Sequence, residues 1–504
     1  MLKRNLVANY LGQGWVALMG LAFIPLYIKY LGIESYGLIG LFAVLQAWLA
    51  LLDMGMTPTL GREMARFTGG THSAQSIRDL LRSIEVVALG VAISIAAGIW
   101  GASSWLASDW LKAENLSVET VAQAFTVMGV VTALRFAEGI YRSSIIGLQR
   151  QVLFNVVNSA MATLRGFGAV AILVWVSPTI EAFFLWQGIV SVLTLFMLAL
   201  ATYTTLPRAD QAGRFSLQAL SGIGRFAGGM MGITFLSLLL MQVDKIVLSK
   251  LLNLSEYGYY MLASAVAGAL YMVISPIGQA WFPRLSELHA LRDQPGLTST
   301  YHQGAQLVSV TMGSAAVVLI VFAEQIIYLW TQDAELARRT AKLVSLLALG
   351  NLLNGLMWIP YQAQLAHGWT GLATQINIIA ALVIVPSILW AAPRYGAEGA
   401  AWVWVCLNAG YVLIGVQFMY RKILQTEKWS WYKNDLIQPL GAALITALVV
   451  DKLIPAGPLP IFAQLLVLGG ASGVVLTMAG IAAPIIRQEL RAQMSQWTFF
   501  ERPL

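Results

Sequence analysis

Charge is what this chain has least of. Asp, Glu, Lys and Arg make up 11% of its 504 residues, where a soluble globular protein carries about a quarter, so a water-soluble fold is excluded. The longest gap, residues 343–393, runs 51 positions without one charged side chain. There is a single cysteine, Cys406, inside an apolar stretch. No intrachain disulfide can form, and thiols say nothing about compartment. The sequence holds no Walker A motif, no metal-ligand cluster and no nucleophile elbow. No loop exceeds roughly 26 residues, too short for a soluble catalytic domain. ATP-driven work by this chain alone, a cofactor and a resident metal are therefore not expected, and neither is enzyme chemistry.

What is present is hydrophobic length. Fully 58% of residues are hydrophobic, and about 20 mostly apolar residues suffice to cross a bilayer as a helix. Fourteen stretches qualify: 6–28, 36–57, 84–107, 121–146, 152–176, 182–206, 224–248, 257–280, 304–330, 340–365, 372–391, 397–420, 436–454 and 461–485. The expected class is an all-α polytopic membrane protein. The first stretch follows Lys3 and Arg4 as a signal peptide would, but it is too long and lacks a small-residue cleavage site, so it reads as a retained helix.

Lys and Arg distribute unevenly over the loops. Nineteen fall on the side that holds both termini, among them Arg62, Arg66, Arg78, Arg82, Arg208, Arg214, Arg421 and Arg502, against nine on the other. Positive loops face the cytoplasm, so both termini are expected there. The net charge of +7 reflects this bias and implies no nucleic-acid partner.

The chain also repeats itself. Residues 30–38 read YLGIESYGL and 250–259 read KLLNLSEYGY, and aligning Tyr36-Gly37 on Tyr257-Gly258 gives an offset of 221. Aligning Gly147 on Gly368, in the segments 141–155 and 361–377, gives 221 again. Six spans separate the copies, an even number, so the halves are parallel repeats. The expected organisation is a six-helix lobe at 1–206, a linker at 207–223, a second six-helix lobe at 224–420, and an amphipathic linker with an extra helix pair and tail at 421–504. In that linker Trp429, Trp431 and Tyr432 suit the headgroup level.

Only the first half keeps several charges within its spans. Arg135, Glu138 and Arg142 are spaced i, i+3, i+7 and share a helical face; Asn158 and Arg165 share a face of the next span. Arginine in mid-bilayer costs about 2.5–3.5 kcal/mol even on the gentler insertion scale, and one glutamate cannot neutralise two. The surplus is positive. We read Arg135, Arg142, Arg165 and Asn158 as a water-filled cationic cavity for a phosphate- or carboxylate-bearing substrate, since a guanidinium fork holds two oxygens and stays charged. The alternative is an internal Arg135–Glu138 pair with the other arginines snorkelling or pinning helices. Glu138, Asp53 and Asp244 are candidate proton or sodium sites, although Asp244 has Lys245 beside it. Asn5, Asn9 and Gln13 form a polar stripe on the first span, and Asn351 with Asn354 another on the tenth; such amides face protein or lumen and commonly join helices. Pro25, Pro276, Pro360, Pro386 and Gly228-Gly229 allow bending, fixed or in motion.

Several segments carry a resemblance. Asn9, the Pro25-Leu26-Tyr27 end of the first helix, YLGIESYGL, LLDMGMTPTLGREMAR (51–66), MQVDKIVLSKLLNLSEYGYYMLAS (241–264), PRLSEL (283–288) and PRYGAEGAA (393–401) are similar in order and spacing to Wzx-type polysaccharide flippases. These belong to the polysaccharide-transporter branch of the multidrug/oligosaccharidyl-lipid/polysaccharide exporter superfamily. The resemblance spans about 420 residues, the twelve-span core. It implies two six-helix lobes around a central cavity, alternating access, ion-gradient coupling and residence in a bacterial inner membrane. The implied cargo is an undecaprenyl-diphosphate-linked oligosaccharide, flipped from the cytoplasmic to the periplasmic leaflet, with membrane lipid, a glycan polymerase and a chain-length regulator as candidate partners. The family fixes no motif at Arg135 or Arg165, which rest on the charge argument. The extra helix pair leaves room for a lipid II flippase. A multidrug or cation antiporter shares the fold but calls for buried acids, and a membrane glycan polymerase calls for a large extramembrane loop.

Overall fold

A computed structural model describes residues 2–53, 55–70, 72–207, 211–217, 224–369, 371–454, 460–489 and 491–492. Arg208 and Arg502 of the loop-charge count lie outside these residues, as do the side chains of Lys3, Arg4, Asn5, Arg225, Gly228 and Gly229. In hydrocarbon every backbone amide must bond within its own segment, and the chain meets that demand with helices throughout. Among the described residues no strand forms beyond one isolated bridge between Lys112 and Asn253.

The chain divides into two compact units, Met1–Gly258 and Tyr259–Leu504. The first contains α1 (Leu2–Ala22), α2 (Ile24–Leu52), α3 (Met56–Thr68), α4 (Ala74–Trp105), α5 (Val118–Gly147), α6 (Gln151–Trp175), α7 (Ile180–Thr205) and α8 (Gly224–Leu251). Then α9 (Leu254–Gly268) crosses the division. The second unit continues with α10 (Leu270–Ala290), α11 (Gln294–Val321), α12 (Ala323–Thr331), α13 (Ala334–Leu356), α14 (Trp358–Ala366), α15 (Gly371–Gly410), α16 (Val416–Tyr420), α17 (Gln438–Leu453) and α18 (Ile461–Ala482).

Eleven helical runs among the described residues are long and apolar enough to cross a bilayer. One of them, Gly371–Tyr420, is 50 residues long, about 75 Å at 1.5 Å per residue and more than twice the ~30 Å core. It breaks at Gly396 (φ 57°, ψ −143°) and holds two expected spans. With α1 and α8 in the remaining two places, each of the fourteen expected spans has its helix. The first boundary differs from expectation. The break comes at Phe23, Pro25 sits in the first turn of α2, and Gly32 (φ 81°) kinks α2 further along. Proline at a helix start forfeits only an N–H that has no helical partner, which makes this position the natural restart.

Apolar side chains point outward where lipid is their solvent. On α7, Leu185, Ile189, Val192 and Phe196 are all exposed; in water such a stripe would be a liability. Inward, α3, α4 and α5 close over Leu60, Met64, Ile77, Leu81, Ile84 and Ile140. In the second unit the extra pair α17 and α18 packs against α11 through Ala443, Ala447, Ala471, Val475 and Ala479, small residues four apart that let backbones approach. The linker before them is not wholly at headgroup level: Trp429 is exposed, but Trp431 and Asp435 are fully buried. Asp435 accepts from His302 at 2.5 Å and from Gln306 at 2.9 Å, both on α11, and Gln306 accepts the Ile485 amide at 2.8 Å.

The two copies of the repeated motif meet inside the first unit. A Cβ on Gly37 would stand 2.7 Å from the Leu254 carbonyl oxygen, and a Cβ on Gly258 would strike the Ile33 carbonyl oxygen. These pairs are reciprocal, since both 33/254 and 37/258 are separated by 221. Only glycine permits the approach. Loop 110–115 stitches both copies down: Glu34 accepts from the amides of Glu114 (2.7 Å) and Asn115 (3.0 Å), and the Leu254 amide donates to the Lys112 carbonyl at 2.9 Å.

Candidate functional site

Helix α5 starts at an N-cap, Ser117, whose hydroxyl accepts the Thr120 amide at 3.1 Å, and runs unbroken to Gly147. That length carries the Arg135, Glu138 and Arg142 face through the unit. A tight turn at Leu148–Arg150, with Gln149 at φ 58°, returns the chain as α6. The hairpin brings Asn158 and Arg165 opposite that face.

All five residues, with Asp53, line one cavity of about 570 Å³ whose walls come from α2, α3, α5, α6 and α7. Its ionisable lining is three arginines against Asp53 and Glu138, an excess of one positive charge when all are ionised. Arg135 donates to the Gln46 carboxamide oxygen, donates to that of Gln187 at 3.2 Å, and lies 5.1 Å from the Phe42 ring centroid. It does not pair with Glu138. Neutral dipoles and a π face hold this cation without cancelling it, so its charge remains available to a ligand. Arg135 Nε, Arg165 Nε, Arg165 Nη2 and Glu138 Oε1 are buried without hydrogen-bond partners. A buried charged donor without an acceptor is costly, so the three guanidinium nitrogens point to an anion or to water, while the Glu138 oxygen, an acceptor, calls for a proton, a cation or water. Arg142 is exposed, with its guanidinium 5.3 Å from the Phe154 ring.

The other expected residues are placed as follows. Asp53 faces the cavity but accepts the Thr57 amide at 3.0 and 3.2 Å and the Thr57 hydroxyl, and so holds the start of α3. Asp244 is outside the cavity and pairs with Lys245 at 3.2 Å. Asn9 joins α1 to α6 through Gln151 (2.7 Å) and Asn155 (2.6 Å), and Gln13 is exposed; neither lines the cavity. Asn351 accepts from Trp404 Nε1 at 2.9 Å, while Asn354 accepts from the Tyr271 hydroxyl at 3.0 Å and donates to Asn408 at 2.8 Å. Sequence reasoning missed Gln46, Gln187 and Phe42. A lone amide in an apolar run was the available signal for the two glutamines; nothing marked the phenylalanine.

Outside the spans, Glu63 on α3 is buried and accepts from Arg62 (3.0 Å), Arg66 (3.1 Å) and His72 (2.8 Å). Burial pushes its carboxyl up, but His72, Arg62 and Arg66 together outweigh it and hold the group below its ordinary range.

Residues 2–289 match the family model described as polysaccharide biosynthesis protein. The chain is 20% identical over 439 residues to a putative O-antigen transporter of Shigella flexneri, covering 86% of this chain and 99% of that protein. It is 26% identical over 258 residues to the succinoglycan biosynthesis transport protein ExoT of Rhizobium meliloti (strain 1021), 48% of each. Among solved structures, the lipid II flippase MurJ in an inward closed conformation superposes with a TM-score of 0.65 at 14% identity, covering 94% of this chain and 97% of that one. An inward-facing multidrug resistance MATE family transporter gives 0.65 at 16% identity, over 82% and 96%. These last two likenesses are of fold.

Proposed function

The chain belongs to the polysaccharide biosynthesis protein family, and from that premise we propose that it flips an undecaprenyl-diphosphate-linked oligosaccharide across a bacterial inner membrane, from the cytoplasmic to the periplasmic leaflet. The observation that carries this reading is the surplus of guanidinium N–H groups without partners in the first unit's cavity. A diphosphate offers several charged oxygens, and arginine forks engage such oxygens two at a time. Arg135 and Arg165 bind the diphosphate or an acidic sugar, Arg142 guides it from the exposed rim, and Asn158 contributes a neutral donor. The polyprenyl tail stays in lipid. Both termini face the cytoplasm, as the loop charges imply.

Ion coupling runs through Glu138. A proton on its carboxylate leaves three arginines opposed only by Asp53, whose acceptors are spent on Thr57, and strengthens anion binding. Losing that proton weakens binding, so the charge state of Glu138 sets the affinity of the site. A cationic-drug antiporter needs the opposite charge balance. The lipid II reading shares the diphosphate and differs in the sugar.

The test follows newly made polyprenyl-linked glycan in cells without this protein and without a redundant flippase. The sugar head should accumulate facing the cytoplasm, relieved by wild type and not by a membrane-inserted Arg135→Ala/Arg165→Ala double variant. Full export by that variant refutes the cationic site. Heads that reach the periplasm unextended favour a polymerase, and unchanged glycan handling favours the antiporter.

A further inference from the structure

The second unit contains a cavity of its own, about 280 Å³, with no charged side chain in its lining. Its walls are built from α14, α15 and residues 411–415. They present three flat rings, Trp358, Tyr361 and Tyr411, and two carboxamides, Gln364 and Asn377. Asn354 closes one side, already committed to Tyr271 and Asn408. Gln364 is not committed: the residue is 4% exposed and its carboxamide oxygen is buried with no partner.

This lining discriminates among ligand classes. An anion finds no cation here, and a cationic drug finds no acid. A hydrocarbon tail would leave the Gln364 and Asn377 amides dry, a penalty that buried polar groups avoid. A neutral sugar has what remains. Its hydroxyls both donate and accept, matching carboxamides that do the same, and its ring carries apolar C–H faces that lie against aromatic rings. The volume is near the lower limit of small-molecule sites, ~300 Å³, and suits one pyranose rather than a chain. We propose that this cavity binds a single neutral sugar ring, with the Gln364 and Asn377 amides reading its hydroxyls and the aromatic walls covering its face. The proposal draws on the transport reading only for the source of the sugar, a unit of the carried glycan.

The experiment uses the purified full-length protein and methyl glycosides of a hexose and an N-acetylhexosamine as probes, read by saturation-transfer NMR. Inorganic diphosphate, read by calorimetry, reports on the first unit separately. Gln364→Leu is close in shape and removes an unsatisfied buried amide, so it should keep the thermal midpoint. Saturable transfer is expected in wild type, strongest at ring C–H protons. It should weaken at least tenfold in Gln364→Leu and in Asn377→Leu, with diphosphate binding unchanged in both. No saturable transfer to wild type overturns the sugar site. So does transfer undiminished in both variants, or transfer only to a planar organic cation. If sugars bind as expected but diphosphate binding is absent, or is indifferent to Arg135→Ala, the transport reading fails and the sugar site stands.

Discussion

Replacing Arg165 by Ala should move affinity and stability in opposite directions. Arg165 has two N–H-bearing nitrogens, Nε and Nη2, buried without partners. A charge-assisted hydrogen bond contributes about 1.5–3 kcal/mol. Two such bonds to a diphosphate are worth about 3–6 kcal/mol, or roughly 10²–10⁴ in affinity at 1.4 kcal/mol per decade. The cavity is lined by polar side chains and the anion is shared with Arg135, so the lower end, about a hundredfold, is expected. In the empty protein the same substitution removes a cation held at a cost of up to about 2.5–3.5 kcal/mol and relieves its repulsion with Arg135, against the loss of its attraction to Glu138. Arg165→Ala should therefore melt no lower than wild type in nanodiscs while binding inorganic diphosphate about a hundredfold more weakly by calorimetry. A parallel loss of melting temperature and binding would make Arg165 a structural pin and refute the reasoning. So would unchanged affinity.

Three further outcomes can be checked independently. Gln187→Leu strips a buried acceptor from Arg135 and should destabilise the protein by about 1–3 kcal/mol, while Gln187→Glu should retain the fold and weaken diphosphate binding by neutralising the guanidinium. Gly258→Ala drives a methyl into the Ile33 carbonyl and should cost about 1–3 kcal/mol of detergent-solubilised stability; Gly14→Ala, with open space at its Cβ, is the matched control and should be neutral except for a small helix-propensity gain. The depressed Glu63 carboxyl stabilises α3 fully above the unfolded carboxylate value of ~4.3, and that contribution is lost as pH falls through the lower folded value. The protection of residues 56–68 relative to intrinsic amide exchange should fall across that acidic window in wild type, and Glu63→Gln should be less protected at neutral pH with little of this acid response.

Periodicity and charge carried most of what the sequence could say. The i, i+3, i+7 spacing of Arg135, Glu138 and Arg142 needs only helical geometry, and the short turn at 148–150 makes α5 and α6 neighbours, so the charged part of the cavity's lining was readable in one dimension. What surrounds Arg135 was not. Gln46 is 89 residues away and Gln187 is 52 away, and no local rule brings them to one guanidinium. Asn9 and Arg165 looked equally polar in apolar runs, yet Asn9 finds Gln151 and Asn155 while Arg165 keeps two nitrogens unbonded; partner geometry decides between joining helices and facing a cavity. The boundary of the first span failed because Phe23 and Ile24 are as apolar as their neighbours, so hydropathy does not register the break there. Trp431 illustrates the same limit, for an aromatic near a span end suits the headgroups equally well as the core. Of the second unit's cavity only Asn354, in the stripe of the tenth span, was marked in the sequence; the rest of its lining is uncharged and gave no signal.

The Gly37 and Gly258 contacts form a symmetric pair. A pairing in which the first copy's carbonyl meets the second copy's glycine, and the second's carbonyl meets the first's glycine, is the pattern of an isologous interface. One copy of such a motif is complementary to itself, so the same short sequence serves both faces of the contact. The close approach takes a backbone oxygen and a missing side chain from each copy, and loop 110–115 fastens both through Glu34 and the Leu254 amide.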